Sequence, residues 1–233
     1  MIEAETVPRL ISSKGRRLAR ERIMKARNMQ RPIHVAWVLI LAGPVLLAAG
    51  QRESRDSWQE PRRVVADLGL KAGAAVADIG CGRGYFTFRL AEAVGDTGKV
   101  YATEIDAEAL KAVAHREEKE GLTTIETVLS DPTDTKLTSA SLDAALLANV
   151  LHHVPKDKRL PLVKDIARAL KPGGFLFVID WRVDAEIEHD RDLRIPSEDL
   201  VNLAKDAGLT LDAEFHYLKN QVFFRCRKPT EPK

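Results

Sequence analysis

Residues Val76–Thr87 read VADIGCGRGYFT: Asp78 nearly closes a short apolar run, and Gly80, Gly82 and Gly84 follow at every second position. A strand that feeds a glycine-rich turn and then a helix offers free backbone N–H groups and a positive helix end to a ligand, and the missing side chains allow close approach. Phosphate is the usual guest of such a turn. The dinucleotide fingerprint, however, is G-x-G-x-x-G, and the G-x-G-x-G found here is one residue shorter. Asp78, if aimed at the pocket, would repel a pyrophosphate and attract ammonium or sulfonium charge. Twenty residues beyond Gly84, at the end of VYATE, stands Glu104, an acid suited to gripping the hydroxyls of a ribose. The ligand so described has a ribose, carries positive charge and lacks a diphosphate. S-adenosylmethionine (SAM) meets all three conditions.

These residues need a scaffold. From about residue 56 onward, apolar runs of strand length alternate with segments of helical period, the pattern of a parallel sheet covered by helices. The candidate strands are AAVADI near 75, KVYAT near 100, TTIETVL near 125, LDAALLA near 144 and GFLFVID near 176. Helices are expected over Tyr85–Val94, Ala107–Lys119, Lys156–Leu170 and Ser197–Ala207, with KPGG stopping the third. LTLDAEFHYL and QVFFRC then flank Lys219-Asn220 as an antiparallel hairpin. Two cysteines, Cys81 and Cys226, exclude a disulfide framework or a Cys-rich metal site; both read as free thiols, and no metal is expected.

Five stretches, VADIGCGRGYFT, KVYATEID, LSDPTD, LLANVLHHVP and ALKPGGFLFVID, occur in this order between Trp58 and about Arg227. They resemble the successive motifs of the class I, Rossmann-like SAM-dependent methyltransferases, particularly the small-molecule branch that includes the quinone-biosynthesis enzymes. The resemblance implies an α/β fold: a seven-stranded, mostly parallel, doubly wound sheet whose last strand is inserted antiparallel. It also implies that Gly80, Gly82 and Gly84 lie against the methionine part of SAM, with Asp78 supporting the amino group and the turn. Glu104 would hold the ribose hydroxyls and Ile105 would pack on adenine. Asp131 would meet the adenine amino group, and Asn149 would offer its backbone carbonyl to the methionine ammonium. Singly, plainer roles compete: Asp78 can cap a helix, Glu104 can be a surface acid and Asp131 can open the Asp131-Pro132 turn.

Methyl transfer from a sulfonium is an in-line displacement in which the protein chiefly aligns the acceptor. A general base is needed only where the accepting atom is protonated. His152 and His153, the only adjacent histidines, follow the fourth strand and are the candidates. DWRVDAEIEHDRDLRIP, after the fifth strand, is placed to act as an acceptor lid, with Trp181, Arg182, His189 and Arg194 as candidate contacts to a small-molecule acceptor. Two other readings stay open: a SAM-binding domain without turnover, and a nicotinamide-dependent oxidoreductase, which the glycine spacing and Asp78 disfavour. The sequence leaves the oligomeric state open.

The charge is unevenly placed. Met1–Arg31 holds nine Lys/Arg and three Asp/Glu, a net of +6 in a chain of +2, which leaves −4 for the rest. Such a domain has no broad basic surface for nucleic acid, and ANVLHH stands where an Asn/Asp-Pro-Pro-Tyr motif would be. Residues 32–51 lack any formal charge over 20 positions, just the length a membrane-spanning helix needs, and Gly43-Pro44 at mid-span is tolerable there. The expected organisation is a basic segment 1–31, a transmembrane helix or signal-peptide core 32–51 and a methyltransferase domain 52–233. Read from Met24 instead of Met1, the order basic, apolar, small (LAAG) is that of a secretory signal. The chain is therefore expected to be membrane-anchored or exported, and the positive-inside rule places its domain outside the cytoplasm, although SAM is a cytosolic metabolite.

Overall fold

Five short apolar runs form parallel strands: β1 (Ala75–Ile79), β2 (Lys99–Glu104), β3 (Ile125–Leu129), β4 (Leu142–Ala148) and β5 (Leu170–Trp181). Two more, β6 (Thr210–Phe215) and β7 (Gln221–Arg227), make the terminal hairpin, and β7 inserts antiparallel beside β5. The sheet order is β3-β2-β1-β4-β5-β7-β6, the α/β arrangement expected from the sequence. The computed structural model describes residues 54–186 and 191–230. The basic segment 1–31, the apolar stretch 32–51 with its anchor, signal and start-site readings, and His189 lie outside the described residues. Among the described residues no helix is long and apolar enough to cross a membrane.

The helices are α1 (Arg55–Gln59), α2 (Pro61–Asp67), α3 (Thr87–Val94), α4 (Ala107–Glu120), α5 (Lys156–Ala169) and α6 (Ser197–Asp206). Strand residues alternate between two cores. Val76, Leu146, Phe177 and Phe223 pack with α2, α3 and α4 on one face, while Ala77, Leu147, Val178 and Phe224 pack with α5 and α6 on the other. Cover on both faces is why β1, β4 and β5 read as almost continuous apolar runs.

Two boundaries depart from the sequence expectation. The helix after the glycine turn begins at Thr87 and not Tyr85: Tyr85 and Phe86 still belong to the turn that Gly82 (φ +54°) and Gly84 (φ +84°) open. KPGG does not separate α5 from a strand: β5 begins at Leu170 directly after the helix, and its register against β4 breaks between Leu142 and Ala144.

The strand order reverses between β1 and β4, and the crevice beyond the carboxyl ends of strands at such a point is where doubly wound sheets bind ligands. Here the two connections press together. A Cβ built on Gly80 would lie 2.6 Å from Cγ2 of Val150, so only glycine lets the β1 turn pass beside the β4 turn.

Candidate functional site

The glycine turn is fixed from both sides. Gly80 N and Cys81 N donate to the carbonyl of Thr103 on β2 at 2.9 and 3.0 Å. Gly82 N donates to Oε2 of Glu104 at 2.9 Å, while Oε1 of the same carboxylate accepts from Ile105 N at 2.7 Å and Asp106 N at 3.2 Å. Glu104 thus braces the turn it faces; Oε1 already accepts two bonds, while Oε2, with one, keeps a lone pair for a ligand hydroxyl. Asp78 is buried beneath the turn and accepts from Thr87 Oγ1 at 2.7 Å, a helix-start contact. Burial pushes its carboxyl up to about 6, against the opposing effects of the Thr87 bond and the nearby Arg55 guanidinium.

Six of the residues singled out from the sequence line one cleft of about 410 Å³: Gly80, Glu104, Ile105, Asp131, Asn149 and His153. Ile105 is 60% exposed at its rim, an apolar surface on which a flat base can lie. Asp131 pairs with Lys136 Nζ at 2.6 Å and exchanges backbone bonds with Asp134, so it also shapes a turn. Gly82 has nothing within 4 Å of a built Cβ, and Gly84 instead abuts Phe88 and Val113, which makes it a packing glycine. Acids, an exposed apolar shelf and the close backbone at Gly80 fit an adenosine with a cationic tail.

The two histidines separate. His152 is buried, with Nδ1 against Asp180 Oδ1 at 2.6 Å and its backbone N donating to Asp180 Oδ2 at 3.2 Å. His153 is exposed and lines the cleft, its ring 4.0 Å from that of His152. The residues expected to meet the acceptor brace the β5 exit: Trp181 is buried against Trp58 with ring centroids 5.1 Å apart, Arg182 pairs with Asp184 at 2.6 Å, and Arg194 Nη1 donates to the Ala185 carbonyl at 2.9 Å. Of the three, Arg182 lines a second space, a groove of about 720 Å³ between α6 and the β6–β7 hairpin.

Sequence reasoning missed two glutamines. Gln59 at the end of α1 is fully buried and Gln221 at the start of β7 is 3% exposed. Gln59 Nε2 donates to Gln221 Oε1 at 2.9 Å, Gln221 Nε2 donates to Asn149 Oδ1, and Asn149 Nδ2 donates back to Gln59 Oε1 at 3.0 Å. The three amides close a ring. Nothing in the local sequence distinguishes a buried glutamine from a surface one, since the partners lie 162 and 90 residues away.

Residues 76–174 match the family described as Methyltransferase domain. The demethylmenaquinone methyltransferase of Staphylococcus aureus (strain JH9) is 30% identical over 128 residues, covering 55% of this chain and 51% of that protein. The chain therefore spans about half the length of the curated relatives it matches. Among solved structures, a SAM-dependent methyltransferase from Aquifex aeolicus superposes with a TM-score of 0.70 at 24% identity, over 76% of this chain and 93% of that one. Phosphoethanolamine N-methyltransferase 2 of Haemonchus contortus, in complex with S-adenosyl-L-methionine, gives 0.62 at 17% identity over 74% and 53%. By sequence residues 76–174 are similar to the methyltransferase-domain family, and the chain shares its α/β fold with the Aquifex aeolicus SAM-dependent methyltransferase.

Proposed function

We propose that the chain transfers the methyl group of SAM to a small-molecule acceptor, with the cofactor in the cleft above β1, β2 and β4. The observation that carries this reading is Glu104: its carboxylate is tied to Gly82 and stands in the same cleft as Gly80, Ile105, Asp131 and Asn149. Bound there, SAM would supply an activated methyl group on sulfur. Glu104 would take the ribose hydroxyls, Ile105 the adenine face, Asp131 the adenine amino group, and the Asn149 carbonyl the methionine ammonium. Asp78 and Glu104 would complement the cofactor's positive charge. Where the acceptor carries a proton, His153 is the group within reach of the cleft, whereas His152 is committed to Asp180.

For the acceptor side we propose the groove at Arg182, whose lining residue Gln221 is hydrogen-bonded to Asn149 of the cleft. A quinone-type ring, the substrate class named by the staphylococcal relative, is the acceptor to try first. An apolar acceptor is also consistent with an uncharged stretch at 32–51, through which we propose that the chain associates with a membrane. Fractionation of cells expressing the full chain, with topology reporters after Lys233, tests that association and its orientation.

Calorimetry on the full-length chain with SAM, S-adenosylhomocysteine and NAD tests the cofactor. Both adenosyl ligands should bind and NAD should not; tight NAD binding without SAM binding would overturn the reading. Transfer of labelled methyl from SAM to a panel of demethylated quinones then tests the acceptor.

A further inference from the structure

Asn149 holds φ +61°, a left-handed conformation that is uncommon for any residue with a Cβ, although asparagine tolerates it better than most. Its backbone N donates to the Ile179 carbonyl at 2.8 Å, so the residue is fixed to β5 while its own carbonyl is turned by the positive φ. The side chain lies in the three-amide ring. A primary amide has one acceptor oxygen and one two-proton donor, so three of them can satisfy one another in a cycle in which each donates to the next.

The sense of this cycle is not arbitrary. Arg55 Nε donates to Gln59 Oε1 at 2.9 Å, and a guanidinium has no acceptor to offer. Gln59 must therefore turn its oxygen toward Arg55 and Asn149 and its nitrogen toward Gln221, which sets the direction of every bond in the ring. Arg55 in turn lies over the Tyr85 ring at 3.7 Å, directly after the glycine turn. Tyr85 OH and Arg89 both donate to Asp56, so α1 is clasped to the turn at a second point. Through Arg55 and Gln59, α1 joins the end of the glycine turn after β1 to Asn149 after β4. Gln221 lines the neighbouring groove and carries the connection into β7.

We propose that Gln59 and Gln221 are positioning residues for cofactor binding: the amide ring they close holds Asn149 in its left-handed conformation and so aims its carbonyl into the cleft. Neither glutamine touches the cofactor. This rests on the reading of the cleft as a SAM site.

The test measures S-adenosylhomocysteine affinity by calorimetry on the full-length chain, beside the thermal midpoint of each ligand-free variant. Gln59→Met and Gln221→Met keep side-chain length and remove the ring bonds; each should weaken affinity by about tenfold or more, because the buried partners they strand pull the loop out of place. Val94→Ala serves as the stability control, since Val94 is fully buried at the end of α3 away from the glycine turn. It should lower the midpoint and leave affinity within about twofold of wild type. Asn149→Gly in the Gln221→Met background should recover most of the lost affinity, because glycine takes the left-handed conformation without the ring.

Wild-type binding with unaltered affinity in both methionine variants, or an equal loss in Val94→Ala, overturns the inference and leaves the SAM reading standing. If a methionine variant does not fold, Gln221→Glu takes its place: it keeps the acceptor for Gln59 and loses the donor to Asn149, so affinity should fall by about tenfold, and unaltered affinity overturns the inference. Absence of binding by the folded wild-type chain removes the cofactor reading itself, and this inference with it.

Discussion

Glu104 uses one carboxylate for two purposes, bracing Gly82 and facing the space where a ribose would lie. Removing it should cost both. Glu104→Ala is expected to weaken SAM binding by roughly 10- to 100-fold, the equivalent of about 1.5–3 kcal/mol for hydrogen bonds to a charged group, as read by calorimetry. Asp78 makes a prediction about pH. Its carboxyl is raised to about 6 by burial, above an unfolded value of about 3.9, so the folded chain takes up this proton first on acidification. The stabilisation from protonation is therefore complete below about pH 4 and is lost as pH rises through about 6. Asp78→Asn should be more stable than wild type by about 2–3 kcal/mol at pH 7.5, and that advantage should shrink at pH 4.5, as measured by urea unfolding at both pH values. On the proposed placement of SAM, whose positive charge favours the ionised carboxylate, its binding should tighten over the same interval as pH rises.

The turn elements separate packing from binding. At Gly80 a methyl group would meet Val150 at 2.6 Å with φ at +67°, whereas at Gly82, with φ at +54°, it would meet nothing within 4 Å. Both alanine variants incur roughly 1–2 kcal/mol of left-handed strain. Gly80→Ala adds overpacking of roughly 1–3 kcal/mol and should show the larger fall in unfolding free energy. On the proposed placement of SAM, Gly82→Ala should instead lose affinity out of proportion to stability, because its methyl would stand in the open space beside the turn. Strands, the hairpin and the cleft residues from Gly80 to Asn149 were legible because each is marked locally, by apolar runs, by glycine spacing or by an acid at a strand end. The amide ring was not. Gln59, Asn149 and Gln221 meet only because β7 docks beside β5 and α1 crosses the strand ends, and no window of sequence contains more than one of them. The same limit applied to the histidines: adjacency in LHHV gave two equivalent candidates, and the turn after β4 sent one into the core and the other to the cleft.

At the scale of the molecule, the two cysteines report on how closed the cores are. Both are buried and free, and burial pushes the Cys226 thiol up to about 12 and the Cys81 thiol higher still. Neither should react with an aromatic disulfide reagent at pH 8 in the native chain, and two equivalents should appear on unfolding, followed by absorbance; reaction of Cys81 without unfolding would mean that the glycine turn opens on its own. Charge at this scale is equally divided in purpose, with the excess of positive charge confined to residues 1–31 and an acidic remainder that suits a cationic cofactor. The insertion of β7 between β5 and β6 also sets a schedule. A growing chain emerging from the ribosome displays β1 to β5 with the far edge of β5 unpaired, and Gln221 arrives only with the strand that covers that edge. On the proposed role of Gln221, a truncated translation product that ends before β7 should hold SAM more weakly than the full chain, even though every glycine and acid of the turn is already present.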